Sequence, residues 1–146
     1  IITDNFKFER GNIIDIPRDE FKKEIKEVKT VNEKMEITKY FLDKVKEIEG
    51  VRIAGKKTVE GRLGVVSIDF EGFDNSIVSF YLSNRYKIMT RVGMHCAPRA
   101  HKTLKTFPQG TVRFSFSHFN TKEEVDVCID SIKTILSDLR QGEDLI

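Results

Sequence analysis

The sequence is poor in cysteine, carries almost no net charge and lacks long apolar runs. Cys96 and Cys128 are its two cysteines, and they are far apart in unlike contexts, which excludes a disulfide framework or a CxxC pair. A formal net charge of +2, from 25 basic and 23 acidic residues, gives no sign of a nucleic-acid surface. No apolar run approaches the roughly 20 residues of a spanning helix, and nothing resembles a signal peptide. We therefore expect free thiols in a reducing cytoplasm, with no nucleic-acid or membrane partner.

The composition is that of a globular domain. Hydrophobic residues make up 39% of the chain and charged residues 33%, and a length of 146 residues fits one domain with its own core. The first residue is Ile rather than Met, which indicates a fragment, a processed chain or an incomplete record.

Hydrophobic periodicity predicts helices alternating with short strands. Apolar residues recur at helical spacing from Asp19, with a break at Asn32 and a stop at Gly50. A helix capped by Asp74 follows later, and a capping box begun by Thr121 opens the last helix. Strands are predicted at Val51–Ala54, Leu63–Phe70, Tyr86–Val92 and Thr111–Ser117, with an irregular loop over Gly93–Gly110. This order predicts a two-layer α/β (α+β) domain, a small mostly antiparallel or mixed sheet with helices on one face.

The loop around Cys96 holds the most informative residues. Gly93 and Pro98 bracket the cysteine and interrupt regular structure, which favours an exposed thiol. Basic neighbours, among them Arg91 and His95, would lower a thiol pKa and raise the thiolate fraction. The spacing leaves two interpretations open, a reactive nucleophile and an ordinary packed cysteine.

Three further features of the sequence bear on function. Cys128 lies on the apolar stripe of the last helix, which is typical of a small core residue. The histidines around Cys96 match no paired zinc-ligand spacing, so we expect no metal site. Arg113 projects from the polar side of an alternating strand, where a guanidinium can bind a carboxylate or make a surface salt bridge.

Four segments resemble, in order, the small domain of the cysteine desulfurases and selenocysteine lyases of the class V aminotransferase-like group. RVGMHCAP, residues 91–98, is similar to the R-x-G-x-H-C-A loop of that family. TVRFSFSHFNTKEEVD, residues 111–126, resembles its carboxylate-binding strand and the following helix. LGVVSIDFEGFD, residues 63–74, resembles the strand that precedes the helix of the family's small domain. MEITKYFLDKVKEIEGVRI, residues 35–53, resembles the helix and strand with which that domain begins.

The resemblance implies a sulfur-transfer function. These enzymes use pyridoxal 5'-phosphate to convert L-cysteine to L-alanine, leaving a persulfide on an enzyme cysteine that passes its sulfur to an acceptor protein. By resemblance Cys96 is the nucleophile, with His95 assisting it as a catalytic candidate. Arg113 would bind the substrate carboxylate, and Arg91 is a second substrate-binding candidate. The resemblance also implies a homodimer, and it does not separate cysteine from selenocysteine as substrate.

Cofactor binding is where the chain departs from the family. The family's pyridoxal lysine lies in another domain, in a His-Lys element before a glycine-rich strand, whereas His101-Lys102 follows the cysteine loop and has no glycine-rich turn. Residues 6–12, FKFERGN, partly resemble a segment that reaches the cofactor across the dimer, which makes Asn12 a cofactor-contact candidate. We expect this chain to bind no pyridoxal phosphate alone and to need a separate cofactor domain.

The chain is accordingly predicted to consist of three parts. Residues 1–34 would be a remnant of the link to a cofactor domain, residues 35–140 the small C-terminal domain, and residues 141–146 a frayed tail. An alternative is a stand-alone persulfide carrier, or a regulatory or dimerisation module without pyridoxal chemistry. A persulfide adduct on Cys96 would separate the carrier from a domain with an idle thiol.

Overall fold

Helices and short strands alternate along residues 30–142, the part of the chain that the computed structural model describes. The elements are α1 (Thr30–Val45), β1 (Val51–Ala54), β2 (Val65–Phe70), α2 (Asn75–Tyr86), β3 (Arg91–Gly93), α3 (Pro98–Thr103), β4 (Thr111–Ser115) and α4 (Lys122–Gln141). Within this range no helix has both the length and the apolar character needed to cross a bilayer. The Asn12 candidate and nearly all of segment 1–34 lie outside the described residues.

The four strands form one antiparallel sheet in the order β1-β2-β4-β3. Ile53 faces Ile68 across β1 and β2, and Val112 faces both Ile68 on β2 and Val92 on β3. Because side chains alternate between the two faces of a strand, these paired apolar residues share one face. The predicted mostly antiparallel sheet is confirmed.

One face of the sheet packs against α1, α2 and α4 and holds the core. Phe41 of α1 stacks against Phe114 of β4 with ring centroids 5.1 Å apart, and Ile132 of α4 is fully buried. The opposite face, called the open face below, carries polar side chains: Arg52, Ser67, Asp69, Arg91, Thr111 and Arg113. The predicted two-layer α/β architecture is therefore confirmed, and the open face is where chemistry can be placed.

The predicted strand Tyr86–Val92 is wrong, because α2 runs to Tyr86 and β3 covers only Arg91–Gly93. Lys87 takes a left-handed conformation (φ 58°), and its N–H bonds the carbonyl of Ser83 while that of Ile88 bonds the carbonyl of Leu82. Helices that end in this left-handed conformation usually have glycine at that position. Because Lys87 occupies it here, the end of α2 gives no recognisable signal in the sequence.

Three other local predictions need correction. The loop Gly93–Gly110 contains the short helix α3, because Pro98 occupies its first position, where proline is favourable, rather than acting as a breaker. The helix α1 passes through Asn32 without a break. It ends at Val45, before Gly50. Amides shortly after it bond carbonyls three residues back instead of four, as Ile48 N–H does with the Val45 carbonyl at 3.3 Å.

The predicted capping box at the start of α4 is confirmed. Thr121 Oγ1 accepts a bond from the Glu124 N–H, and the Glu124 carboxylate accepts one from the Thr121 N–H, both at 3.2 Å. We expect Thr121→Ala to lower the free energy of unfolding by about 1 kcal/mol, measured by urea denaturation. Thr134→Ala, at an exposed position in the middle of the same helix, is the matched control. An equal loss in both variants would show that the cap contributes nothing specific.

Candidate functional site

Cys96 sits at the tip of a tight turn rather than in a regular element. The Ala97 N–H bonds the Met94 carbonyl at 2.9 Å, and the central residues His95 and Cys96 both have positive φ, 48° and 63°. Two positive φ values at the centre are what a type I′ turn requires, and Asn and Gly normally occupy these positions. Holding two ordinary side chains there costs energy, so the surrounding structure must stabilise the turn. Cys96 is exposed and its thiol is free.

Two glycines bring this turn against the arginine-bearing strand. Gly93 ends β3 and pairs with Thr111 at the start of β4. Gly110 (φ 80°) lies directly against the backbone of Gly93, where a β-carbon would overlap the Gly93 carbonyl group. Only glycine allows that approach, so the turn carrying Cys96 is seated at the beginning of β4.

Both candidate arginines lie on the open face beside this turn. Arg91 of β3 is paired directly with Arg113 of β4 in the sheet register. Arg91 is exposed, whereas Arg113 is half-buried and its Nε atom is buried without a hydrogen-bond partner among the described residues. The buried hydroxyl of Thr111 and both ring nitrogens of His95 are likewise unpaired there. Buried polar groups are normally satisfied, so this cluster fits an anionic or polar group supplied from outside the described chain.

The surroundings of His95 favour its neutral form. Burial lowers the pKa of His95 and the neighbouring guanidinium of Arg113 lowers it further, while the nearby Thr111 backbone opposes the shift only in part. A neutral imidazole has one nitrogen that can accept a proton and one that can donate. His95, the residue before Cys96 in the chain, can therefore hold or give up a proton, but neither of its ring nitrogens bonds the Cys96 thiol in this structure.

His101 and Lys102 do not form a cofactor site. His101 is 5% exposed and its Nδ1 lies 2.6 Å from the Thr106 hydroxyl, so it has a structural partner. Lys102 is exposed and lies over the Phe107 ring, 5.2 Å from its centroid. Within residues 33–142 no lysine is buried. The described residues therefore do not fit a Schiff base with pyridoxal phosphate.

The remaining thiol and the surface grooves lie away from the turn. Cys128 is buried on α4, and burial raises its thiol pKa to about 12. Two surface grooves are lined by residues of α4 and of α1 or the turn after it, and neither is lined by Cys96, His95 or Arg113. Across residues 30–142 no three His, Cys, Asp or Glu side chains converge as a metal ion would require.

Sequence reasoning missed Arg52 and Asn75, which connect the open face to the segment after Cys96. Arg52 is paired with Asp69 across the sheet, and Asn75 is fully buried at the start of α2. For Asn75, the sequence offers only its position directly after the helix-capping Asp74, because the burial that requires partners for its amide is seen only in the structure. The partners of Arg52 depend on strand register and could not be read from the chain.

Comparisons with known proteins agree with this arrangement. The family model described as aminotransferase class-V matches residues 20–128. A probable cysteine desulfurase of Pyrococcus abyssi is 34% identical over 61% of this chain and 21% of its own length. One from Mycolicibacterium paratuberculosis is 33% identical over 68% of this chain and 14% of its own. The chain thus spans about a fifth or less of these curated relatives.

Solved structures give the same result. The apo cysteine desulfurase from Thermococcus onnurineus NA1 matches with a TM-score of 0.66 and 29% identity, over 73% of this chain and 26% of that one. The S-sulfonic acid form of the Escherichia coli cysteine desulfurase CsdA matches in fold, with a TM-score of 0.64 and 24% identity over 73% of this chain and 25% of that one.

Proposed function

This chain belongs to the class-V aminotransferase family, and on that premise we propose that it is the small C-terminal domain of a cysteine desulfurase in which Cys96 accepts the sulfur. The observation that carries the proposal is the turn at Cys96. An exposed, free thiol is held in a strained conformation beside the unpaired polar atoms of His95, Thr111 and Arg113. An idle thiol would need neither the strain nor those neighbours.

The proposed step is attack by the Cys96 thiolate on the sulfur of bound L-cysteine. A sulfur–sulfur bond forms and the carbon–sulfur bond of the substrate breaks, with its electron pair leaving on the carbon side. Protonation of that carbon gives L-alanine, and a persulfide remains on Cys96. Arg113 binds the substrate carboxylate through its guanidinium, with Arg91 beside it. His95, neutral for the reasons given above, takes the proton that the Cys96 thiol loses.

The rest of the machinery comes from outside the described residues. Pyridoxal phosphate is the cofactor of the complete enzymes that the family implies, and here it would be held by another part of the protein or by another chain. The open face, with its unpaired atoms, is the surface that would meet that cofactor-bearing part. A homodimer and an acceptor protein for the persulfide sulfur complete the proposal.

We expect Cys96 to become persulfidated when the chain is incubated with a complete cysteine desulfurase and L-cysteine. Mass spectrometry of the intact chain should show a gain of about 32 Da, one sulfur atom, which Cys96→Ser abolishes. Cys128→Ser is the matched control and should keep the adduct, because Cys128 is buried. An adduct-free parent chain would contradict the acceptor role.

A stand-alone persulfide carrier is the second candidate, because an exposed, free Cys96 thiol can take up sulfur from another enzyme without a cofactor of its own. The two candidates differ in alanine release. A desulfurase domain restores alanine formation to a cofactor domain that lacks its own cysteine loop, and does so only with Cys96 and Arg113 intact. A carrier takes up sulfur but restores nothing. Alanine release by the chain with pyridoxal phosphate alone would contradict both.

A further inference from the structure

A polar network crosses the open face from β1 to the start of α2. Arg52 bonds the Asp69 carboxylate at 2.5 Å and the Glu71 carboxylate at 3.0 Å. The other oxygen of Asp69 accepts a bond from the Asn75 amide at 3.0 Å, and Asn75 Oδ1 accepts the Phe70 N–H at 3.0 Å. The network therefore links the middle of the sheet to the N-terminus of α2.

This network holds both ends of the segment that joins α3 to β4. At one end, the two terminal nitrogens of Arg52 donate to the carbonyls of Leu104 and Lys105 at 2.9 and 3.0 Å. At the other end, Asn75 donates to the carbonyl of Gly110 at 3.1 Å. The carbonyls of Leu104 and Lys105 directly follow a short helix, whose last carbonyls have no partner within the helix.

Each end of this segment is connected to the Cys96 turn through only a few residues. The helix α3 begins at Pro98, so fixing the residues after its last turn fixes its direction. Gly110 lies against the Gly93 backbone, and Gly93 opens the turn that carries Cys96. The strained turn is thus braced from two sides, which supplies the external support that two consecutive positive φ values require.

We propose that Arg52 and Asn75 are positioning residues that keep the Cys96 turn seated beside Arg113. Arg52 has a second effect, since its positive charge is paired with the carboxylates of Asp69 and Glu71. Only a guanidinium can serve two carbonyls and two carboxylates together, because it presents five donors in a fixed plane. The purpose of this brace rests on the proposed function, but its existence can be tested without sulfur transfer.

The first measurement is amide hydrogen exchange over residues 98–110. Arg52→Gln should speed exchange there by at least about tenfold while residues 122–141 of α4 keep their protection. Arg52→Lys keeps the positive charge but loses the planar set of guanidinium donors. The amides of residues 98–110 should therefore exchange nearly as fast in Arg52→Lys as in Arg52→Gln. Full protection in Arg52→Lys, or no change in Arg52→Gln, would overturn the proposal. Arg85→Gln removes the same charge from α2, where it pairs with Asp138, and is the matched control.

The second measurement asks whether Cys96 stays near the arginines. The ratio of its alkylation rates with iodoacetate and iodoacetamide reports the local positive field, and general exposure cancels in the ratio. Asn75→Ala changes no charge, so a fall of roughly two- to threefold in that variant indicates a displaced turn. An unchanged ratio, with Cys128 still protected as evidence of folding, would contradict the brace. Failure of Cys96 to accept sulfur would instead contradict only the proposed function.

Discussion

Gly110→Ala is expected to cause the largest loss of stability of any glycine-to-alanine change among the described residues. The new β-carbon would overlap the backbone carbonyl of Gly93, and backbone cannot rotate away as a flexible side chain can. The residue also has φ 80°, a conformation that costs a non-glycine residue about 1–2 kcal/mol. Relief of the overlap should cost a further 1–3 kcal/mol, roughly the range for overpacking.

Gly72→Ala separates the two contributions. Gly72 has nearly the same φ, 85°, but nothing lies within 4 Å of its added β-carbon. Urea denaturation should therefore show a loss of about 1–2 kcal/mol for Gly72→Ala and a clearly greater loss for Gly110→Ala. Persulfide formation on Cys96 should be slowed only in the Gly110 variant, since the displaced partner carries the turn. Equal losses in the two variants would mean that the Gly93–Gly110 contact is not tight.

Sequence pattern predicted the elements whose cause is local. The alternation of β2, with Val66, Ile68 and Phe70 buried on one side, is visible because period-2 burial leaves its mark in the residues themselves. The Thr121 cap is visible for the same reason, since its partner Glu124 is three residues away. At the end of α2, Lys87 takes the position that glycine normally occupies. Without that glycine the sequence does not mark the end of the helix, and a strand was predicted from Tyr86 onward.

The candidate site depends on distant pairings, and this limits what the sequence alone predicts about it. Cys96 and Arg113 are visible as residue types in a motif, but the pairing of β3 with β4 is what brings the turn after β3 close to Arg113. The contact between Gly93 and Gly110 and the bonds of Arg52 to two carbonyls join residues that have no periodic relation. Long-range register, rather than residue type, turns these side chains into a site.

Alkaline destabilisation through Cys128 is the second large effect expected. Burial raises the thiol pKa from an ordinary value near 9.0 to about 12 in the folded chain. The folded state thus keeps a proton that the unfolded chain loses above pH 9, and stability falls wherever the unfolded state binds fewer protons. Full stabilisation holds below pH 9 and is lost as the pH rises toward 12. The loss by pH 11 is on the order of 3 kcal/mol, at 1.36 kcal/mol for each pH unit.

Cys128→Ala isolates this effect from the other groups that titrate in the same range. Lysines and tyrosines are unchanged between the two chains, so their contributions cancel in the difference of unfolding free energies. Urea denaturation at pH 8 should show Cys128→Ala less stable, because truncating a buried side chain removes packing. The difference in unfolding free energy should shrink steadily above pH 9, because only the parent chain loses stability as its unfolded thiol ionises. At higher pH Cys128→Ala should become the more stable chain. A difference that stays constant from pH 8 to about pH 11 would show that the folded protein accommodates the thiolate.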